Sequence, residues 1–147
     1  MYKRQIQSWG RILSLVNSDA SNFITLGHGA PRQAYVEIYN DAAMWSTDFV
    51  TTQTDFFPAI PQWVHVALTV TPAGALTFFR DGETQAGWQT SDGIAANPER
   101  VTYTRAALGR YEQAADELYY ADVALRDVRL YNRALSAGEV VQIKKAG

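Results

Sequence analysis

The chain has no cysteine, and only two histidines, His28 and His65, occur in 147 residues. The first absence excludes disulfides and thiolate metal sites. It leaves the compartment open, because exported bacterial domains commonly manage without disulfides. With so few histidines and no Gly-x-Ser-x-Gly, Ser–His hydrolysis has nothing to stand on. Charge of one sign is lacking too. The 13 basic and 15 acidic residues leave a formal −2, so the electrostatic footprint of a nucleic-acid binder is missing. No apolar run approaches the roughly 20 residues that span a bilayer. Internal repeats and low-complexity tracts are absent, and no helix-period stretch appears before the last dozen residues. What is present is 47% hydrophobic residues in a one-domain length, enough to bury a sizeable core.

The first five residues, MYKRQ, match one reading frame of a common transposon-end sequencing adaptor, GTG TAT AAG AGA CAG, with GTG as start codon. The expectation is that residues 1–5 are adaptor translation and 6–147 a domain whose natural coding sequence is cut off upstream of Ile6. An ordinary basic N-terminus is the alternative. On the first reading Lys3 and Arg4 leave the count and the formal charge becomes −4. A signal peptide, opening strands or a partner domain would then precede Ile6, and residues 1–5 stay outside fold reasoning.

Strand signals dominate the rest. In QWVHVALTVT, residues 62–71, Val64, Val66, Leu68 and Val70 share one face, and Trp63, His65, Ala67 and Thr69 the other. Pro72-Ala73-Gly74 supplies a turn into ALTFFR. Asp81-Gly82, the favoured pair for a type I′ hairpin, leads into ETQAGWQT. Three consecutive antiparallel strands are therefore expected between Gln62 and Thr90. RILSLVN, NFITLGH and QAYVEIYN read as earlier strands, the last with Ala34, Val36 and Ile38 on one face and Tyr35, Glu37 and Tyr39 on the other. Residues 40–61 read as a polar and aromatic connection with a short strand near Phe49–Thr52. VTYTRAALG and VALRDVRLYN complete an all-β series.

The chain then changes character. Ser136-Ala137-Gly138-Glu139 fits a capping box, and Leu135 and Val140 occupy the positions of a hydrophobic staple. Lys144 and Lys145 favour the C-terminal end of the dipole, and Gly147 can terminate the helix. A helix of about nine residues does not stand alone in water, so Val140 and Ile143 must dock on the sheets as a clasp.

Three segments resemble a laminin-G-like domain of the concanavalin A-like lectin/glucanase superfamily. They are WVHVALTVTPAGALTFFRDGE, AALGR at Ala106–Arg110, and VALRDVRLYNRALSAGEV. In order and spacing they cover roughly residues 60–145, while residues 6–56 fit loosely. The resemblance implies an antiparallel two-sheet jelly-roll sandwich with a short C-terminal helix. Val123 stands where the family often has glycine, and Arg126 where it has an acid. Opening strands that pair beside the end of the family's chain are missing, which implies a raw, adhesive sheet edge.

Glycoside hydrolysis needs two carboxylates, about 5 or 6.5–9.5 Å apart. The superfamily's glucanase pattern Glu-x-Asp-x-x-Glu does not occur, and within the strand QAYVEIYN no second acid shares the face of Glu37, so no catalytic residue is expected. Gly27-His28-Gly29 is followed by Pro31 and another strand, which makes it a turn rather than a phosphate loop. His65 is expected to pack or hydrogen-bond, and Trp63 to be structural, closing one edge of the sandwich. A glycan site needs flat aromatic rings beside acids or amides. Tyr35, Glu37 and Tyr39 form such a stripe, with Trp45 and Trp88 as further candidates. No cofactor is required. Calcium, held at the sandwich rim in several relatives, has weak candidates in Asp41, Asp48 and Asp55, with Asn40 nearby.

The resulting expectation is a non-catalytic carbohydrate-recognition module of a larger exported or cell-surface bacterial protein, its partners a polysaccharide and neighbouring domains. A structural or adhesion module that binds protein, and a remote glycoside hydrolase, are the alternatives.

Overall fold

Alternation decides the first three strands. In this computed structural model, which describes residues 9–17, 22–29, 32–39, 47–51, 55–59, 61–73, 75–85, 89–90, 102–110, 120–121 and 123–147, the chain opens as an antiparallel meander. Its strands are β1 (Gly10–Asn17), β2 (Phe23–Gly29) and β3 (Gln33–Tyr39). β4 (Thr47–Thr51) extends the sheet beyond β3. β5 (Val66–Val70), β6 (Leu76–Arg80) and the short β7 (Glu83–Thr84) form a second antiparallel sheet. β8 (Gln89–Thr90) returns to pair with β4, and β9 (Tyr103–Leu108) pairs with β1. The described strands thus run β8-β4-β3-β2-β1-β9 in one sheet and β5-β6-β7 in the other.

The two sheets share one apolar layer. Ala34, Val36 and Ile38, on one face of β3, cluster with Phe56 and Phe78, and Ile24, Leu26, Phe57, Val66, Leu68 and Leu76 pack against them. These are the inward positions that the period-2 pattern of QAYVEIYN and QWVHVALTVT assigns. Each large side chain so buried contributes about 1.5–3 kcal/mol relative to an exposed one.

Asp81 (φ 54) and Gly82 (φ 81) form the expected hairpin turn, with Arg80 opposite Glu83. Positive φ at both central residues is what type I′ requires. Asp81 also locks the start of β5. Its N–H donates to the His65 carbonyl at 2.8 Å, and its Oδ1 accepts from the His65 N–H at 3.1 Å.

α1 (Ala137–Ala146) begins as its cap predicts. Ser136 Oγ accepts from the Glu139 N–H at 3.3 Å, and Glu139 Oε2 accepts from the Ser136 N–H at 2.8 Å. Arg133, beside Glu139, together with the Ser136 contacts, lowers that carboxyl to about 2. Val140 is buried, Val141 lies against Gly82, and Lys144 Nζ donates to the Asp81 carbonyl at 2.9 Å, so the helix clasps the β6–β7 turn. It is too short to cross a membrane, and no helix among the described residues is long and apolar enough to do so.

Two expectations are corrected. ETQAGWQT does not form one third strand: Glu83–Thr84 stays with β6, while Gln89–Thr90 pairs with β4 in the opposite sheet. VALRDVRLYN is not a strand among the described residues. Its apolar alternation changes phase between Leu125 and Val128, and Asp127, at φ 53, breaks the extended run between them. A strand also needs a neighbour for its backbone groups, and the main chain of 123–131 has no hydrogen bond to any described residue.

Ser136→Ala removes an acceptor from the first turn of α1. The cost expected in urea unfolding is about 1 kcal/mol, with amide exchange accelerated chiefly in residues 137–141.

Candidate functional site

The face of the larger sheet opposite the apolar layer carries its polar chemistry. Strand register sets three rows across β1, β2 and β3: Arg11–Gly27–Tyr35, Ser14–Thr25–Glu37 and Val16–Phe23–Tyr39. A bulge builds the first row. Simple alternation along GRILSLVN would group Arg11 with Leu13 and Leu15, but the register shifts between Arg11 and Leu13. The extra residue at Ile12 turns Arg11 over to the side of Ser14 and Val16. The Ile12 carbonyl is taken by the Gly109 N–H at 2.9 Å, so the irregularity leaves that acceptor satisfied.

Arg11 anchors what surrounds it. Its Nη2 lies 3.1 Å from Glu37 Oε2, with the two side chains 11% and 18% exposed. Its Nη1 donates to the Tyr35 hydroxyl and, at 3.1 Å, to the Trp9 carbonyl, which also accepts from the Tyr35 hydroxyl at 3.2 Å. The guanidinium stands 5.1 Å from the centroid of the Tyr35 ring, and Trp9 meets that ring edge-on at 5.4 Å. Gly27 is required here, because a Cβ at that position would overlap the Tyr35 ring. Ser14 and Thr25, both fully buried, face each other at 3.5 Å between their hydroxyl oxygens. Burial raises the Glu37 carboxyl above its ordinary value, and Arg11 acts in the opposite direction.

The aromatic stripe is on the expected face but does not act as one surface. Tyr35 is fully buried beneath Arg11 and Trp9, which removes its ring as a stacking platform. Glu37 spends a carboxylate oxygen on Arg11. Tyr39 remains half-buried, with the Phe23 ring parallel to its own at 5.1 Å and 5°. Trp45, Trp88 and Asp41 lie outside the described residues. Asp48 holds the register position opposite Ile38. Asp55 is exposed, at φ 69, and its Oδ1 pairs with Arg32, so one oxygen of this calcium candidate is committed to a guanidinium. Among the described residues no group of three or more His, Asp or Glu side chains is placed to hold a metal.

The glutamate has no acidic neighbour in register. Thr25 stands opposite it on β2 and Phe49 on β4. His28 lies against Phe57, ring centroids 5.1 Å apart, and burial lowers its pKa. His65 joins the start of β5 to the hairpin. Burial lowers its pKa foremost, Asp81 and Asp127 raise it, and Lys144 and Arg129 lower it. Trp63 is 59% exposed and carries Arg126 over its ring at 5.0 Å. Sequence reasoning missed Arg11. The available signal was a lone arginine opening an otherwise apolar strand.

A laminin-G family model, described as the Concanavalin A-like lectin/glucanases superfamily, matches residues 1–141. The chain belongs to that superfamily. None of the curated proteins compared matches it in sequence. Among solved structures, residues 221–444 of an S-layer domain-containing protein from Clostridium thermocellum are similar to it, with 18% identity and a TM-score of 0.46. That alignment covers 98% of this laminin-G-like chain and 67% of the other. So distant a likeness says nothing of function.

Two outcomes follow from this face and its histidines. Arg11→Met leaves Glu37 buried without its countercharge and is expected to cost about 3 kcal/mol at neutral pH, with Arg11→Met/Glu37→Leu recovering most of it. Because the folded pKa of Glu37 is raised, the penalty in the single variant is smallest in acid and grows as pH rises through that value; chemical denaturation across pH reads it. His28 and His65 have the opposite sign. Their lowered folded pKa makes stability present above about pH 6.5 and progressively lost below it. The urea midpoint is expected to fall from pH 7.5 to 5.5, and less steeply in His65→Gln.

Proposed function

We propose that this laminin-G-like chain is a non-catalytic recognition module of an exported or cell-surface bacterial protein, and that its ligand is a polysaccharide. The observation that carries this reading is the Phe23–Tyr39 pair, whose rings are 5.1 Å apart and 5° from parallel. Phe23 is 5% exposed and lies parallel to the ring of Tyr39, which stays partly exposed at the end of β3. A rigid, part-exposed aromatic plane suits the apolar face of a pyranose, and the polar tip of tyrosine suits its hydroxyls. Trp45 and Trp88, outside the described residues, are further candidate rings.

Binding is favoured over hydrolysis by the surroundings of Glu37. A retaining or inverting pair requires a second carboxylate at about 5 or 6.5–9.5 Å. The register neighbours of Glu37 are a threonine and a phenylalanine, and Arg11 occupies one of its oxygens. One stacked ring gives weak binding, which neighbouring modules on a longer chain raise through effective concentration.

Affinity electrophoresis through gels containing single polysaccharides tests this. Tyr39→Ala and Trp45→Ala are each expected to weaken retardation about 5- to 10-fold, the equivalent of about 1–1.4 kcal/mol for one aromatic contact. Retardation unchanged in both variants removes this face as the binding site.

A further inference from the structure

The glycan reading leaves His65 unused. It stands one residue before β5, and its main chain makes two bonds with Asp81. The His65 N–H donates to Asp81 Oδ1 at 3.1 Å, and the His65 carbonyl accepts from the Asp81 N–H at 2.8 Å. The side chain is less well provided. Its Nδ1 is buried and has no hydrogen-bond partner among the described residues.

The charged groups around this ring come from three elements. The Asp81-Gly82 turn supplies Asp81, segment 123–131 supplies Asp127 and Arg129, and α1 supplies Lys144. Both carboxylates are already engaged. Asp81 Oδ1 takes the His65 N–H and Oδ2 lies 3.9 Å from Arg80 Nε, while Arg129 holds both oxygens of Asp127 at 2.7 and 2.8 Å. An imidazolium here carries a buried donor at Nδ1 with no acceptor, beside the like charges of Lys144 and Arg129.

The same residues fasten α1. Lys144 Nζ donates to the Asp81 carbonyl at 2.9 Å, and Val141 lies against Gly82. Gly147, at the helix end, sits so close to Asp127 that a Cβ there would stand 2.8 Å from Oδ2.

We propose that α1 is a proton-sensitive clasp: protonation of His65 releases residues 137–146 from the Asp81-Gly82 turn while the two sheets stay folded. Release takes the Lys144 charge away and admits water to Nδ1, so the released form binds the proton more tightly. Linkage then fixes the sign: docking is fully present above about pH 6.5, and acid weakens it. For a released imidazole titrating near 6.5, docking weakens at most about tenfold between pH 7.5 and 5.5. The clasp uses none of the Tyr39 face, so either proposal survives failure of the other.

Hydrogen exchange of the full chain at pH 7.5, 6.5 and 5.5, read by mass spectrometry and corrected for the intrinsic pH dependence, tests it. Protection of residues 137–146 is expected to fall about 3- to 10-fold more than that of β2 and β3. His65→Gln is expected to abolish that excess, and His28→Gln to keep it. Lys144→Gln is expected to start less protected at pH 7.5 and to fall less steeply; its slope decides the matter if His65→Gln does not fold. No loss in α1, equal loss in α1 and the strands, or abolition of the excess by His28→Gln overturns the proposal. So does a wild-type slope in His65→Gln or Lys144→Gln.

Discussion

β3 is covered on both of its faces, and the packing around it follows from that constraint. Ala34, Val36 and Ile38 enter the layer shared with Phe56 and Phe78, while Tyr35 is equally buried on the other side. A strand with one wet face needs only alternation. One with two covered faces must also satisfy the polar atoms it carries, because a buried donor or acceptor without a partner costs about 1–3 kcal/mol. Arg11 meets that need, supplying a countercharge to Glu37 and donors to the Tyr35 hydroxyl and the Trp9 carbonyl.

That arrangement depends on two backbone features with no side chain of their own to contribute. The bulge at Ile12 brings Arg11 round to the Glu37 side, and Gly27 leaves room for the Tyr35 ring to lie across β2. The same face is thereby largely withdrawn from ligand. The far row, where the Tyr39 ring lies parallel to Phe23, is the part of this face that stays partly exposed.

The C-terminal part of the chain separates two kinds of order. α1 is specified locally by its capping box and held by its neighbour, the Asp81-Gly82 turn, through Val141 and Lys144. The preceding residues 123–131 have strand composition and no strand neighbour among the described residues.

Much of the fold was legible in advance because its signals are local. Period-2 patterns located β1, β2, β3, β5, β6 and β9, Asp-Gly announced the type I′ turn, and Ser-x-x-Glu announced α1. The side of β3 that carries Tyr35, Glu37 and Tyr39 was legible for the same reason. Pairing was not. That Gln89–Thr90 leaves its hairpin for the opposite sheet, and that 123–131 joins no sheet among the described residues, depends on which backbones lie alongside one another over long sequence separations. Arg11 was hidden because one inserted residue inverts the apparent face of everything before it. The sequence by itself determined which residues extend, which turn and which side of each strand is apolar, since these are set by φ, ψ and neighbouring side chains. Only the tertiary structure decided that Tyr35 is sealed, that Glu37 is paired and that Tyr39 stays partly exposed, because burial is a property of what arrives from elsewhere in the chain.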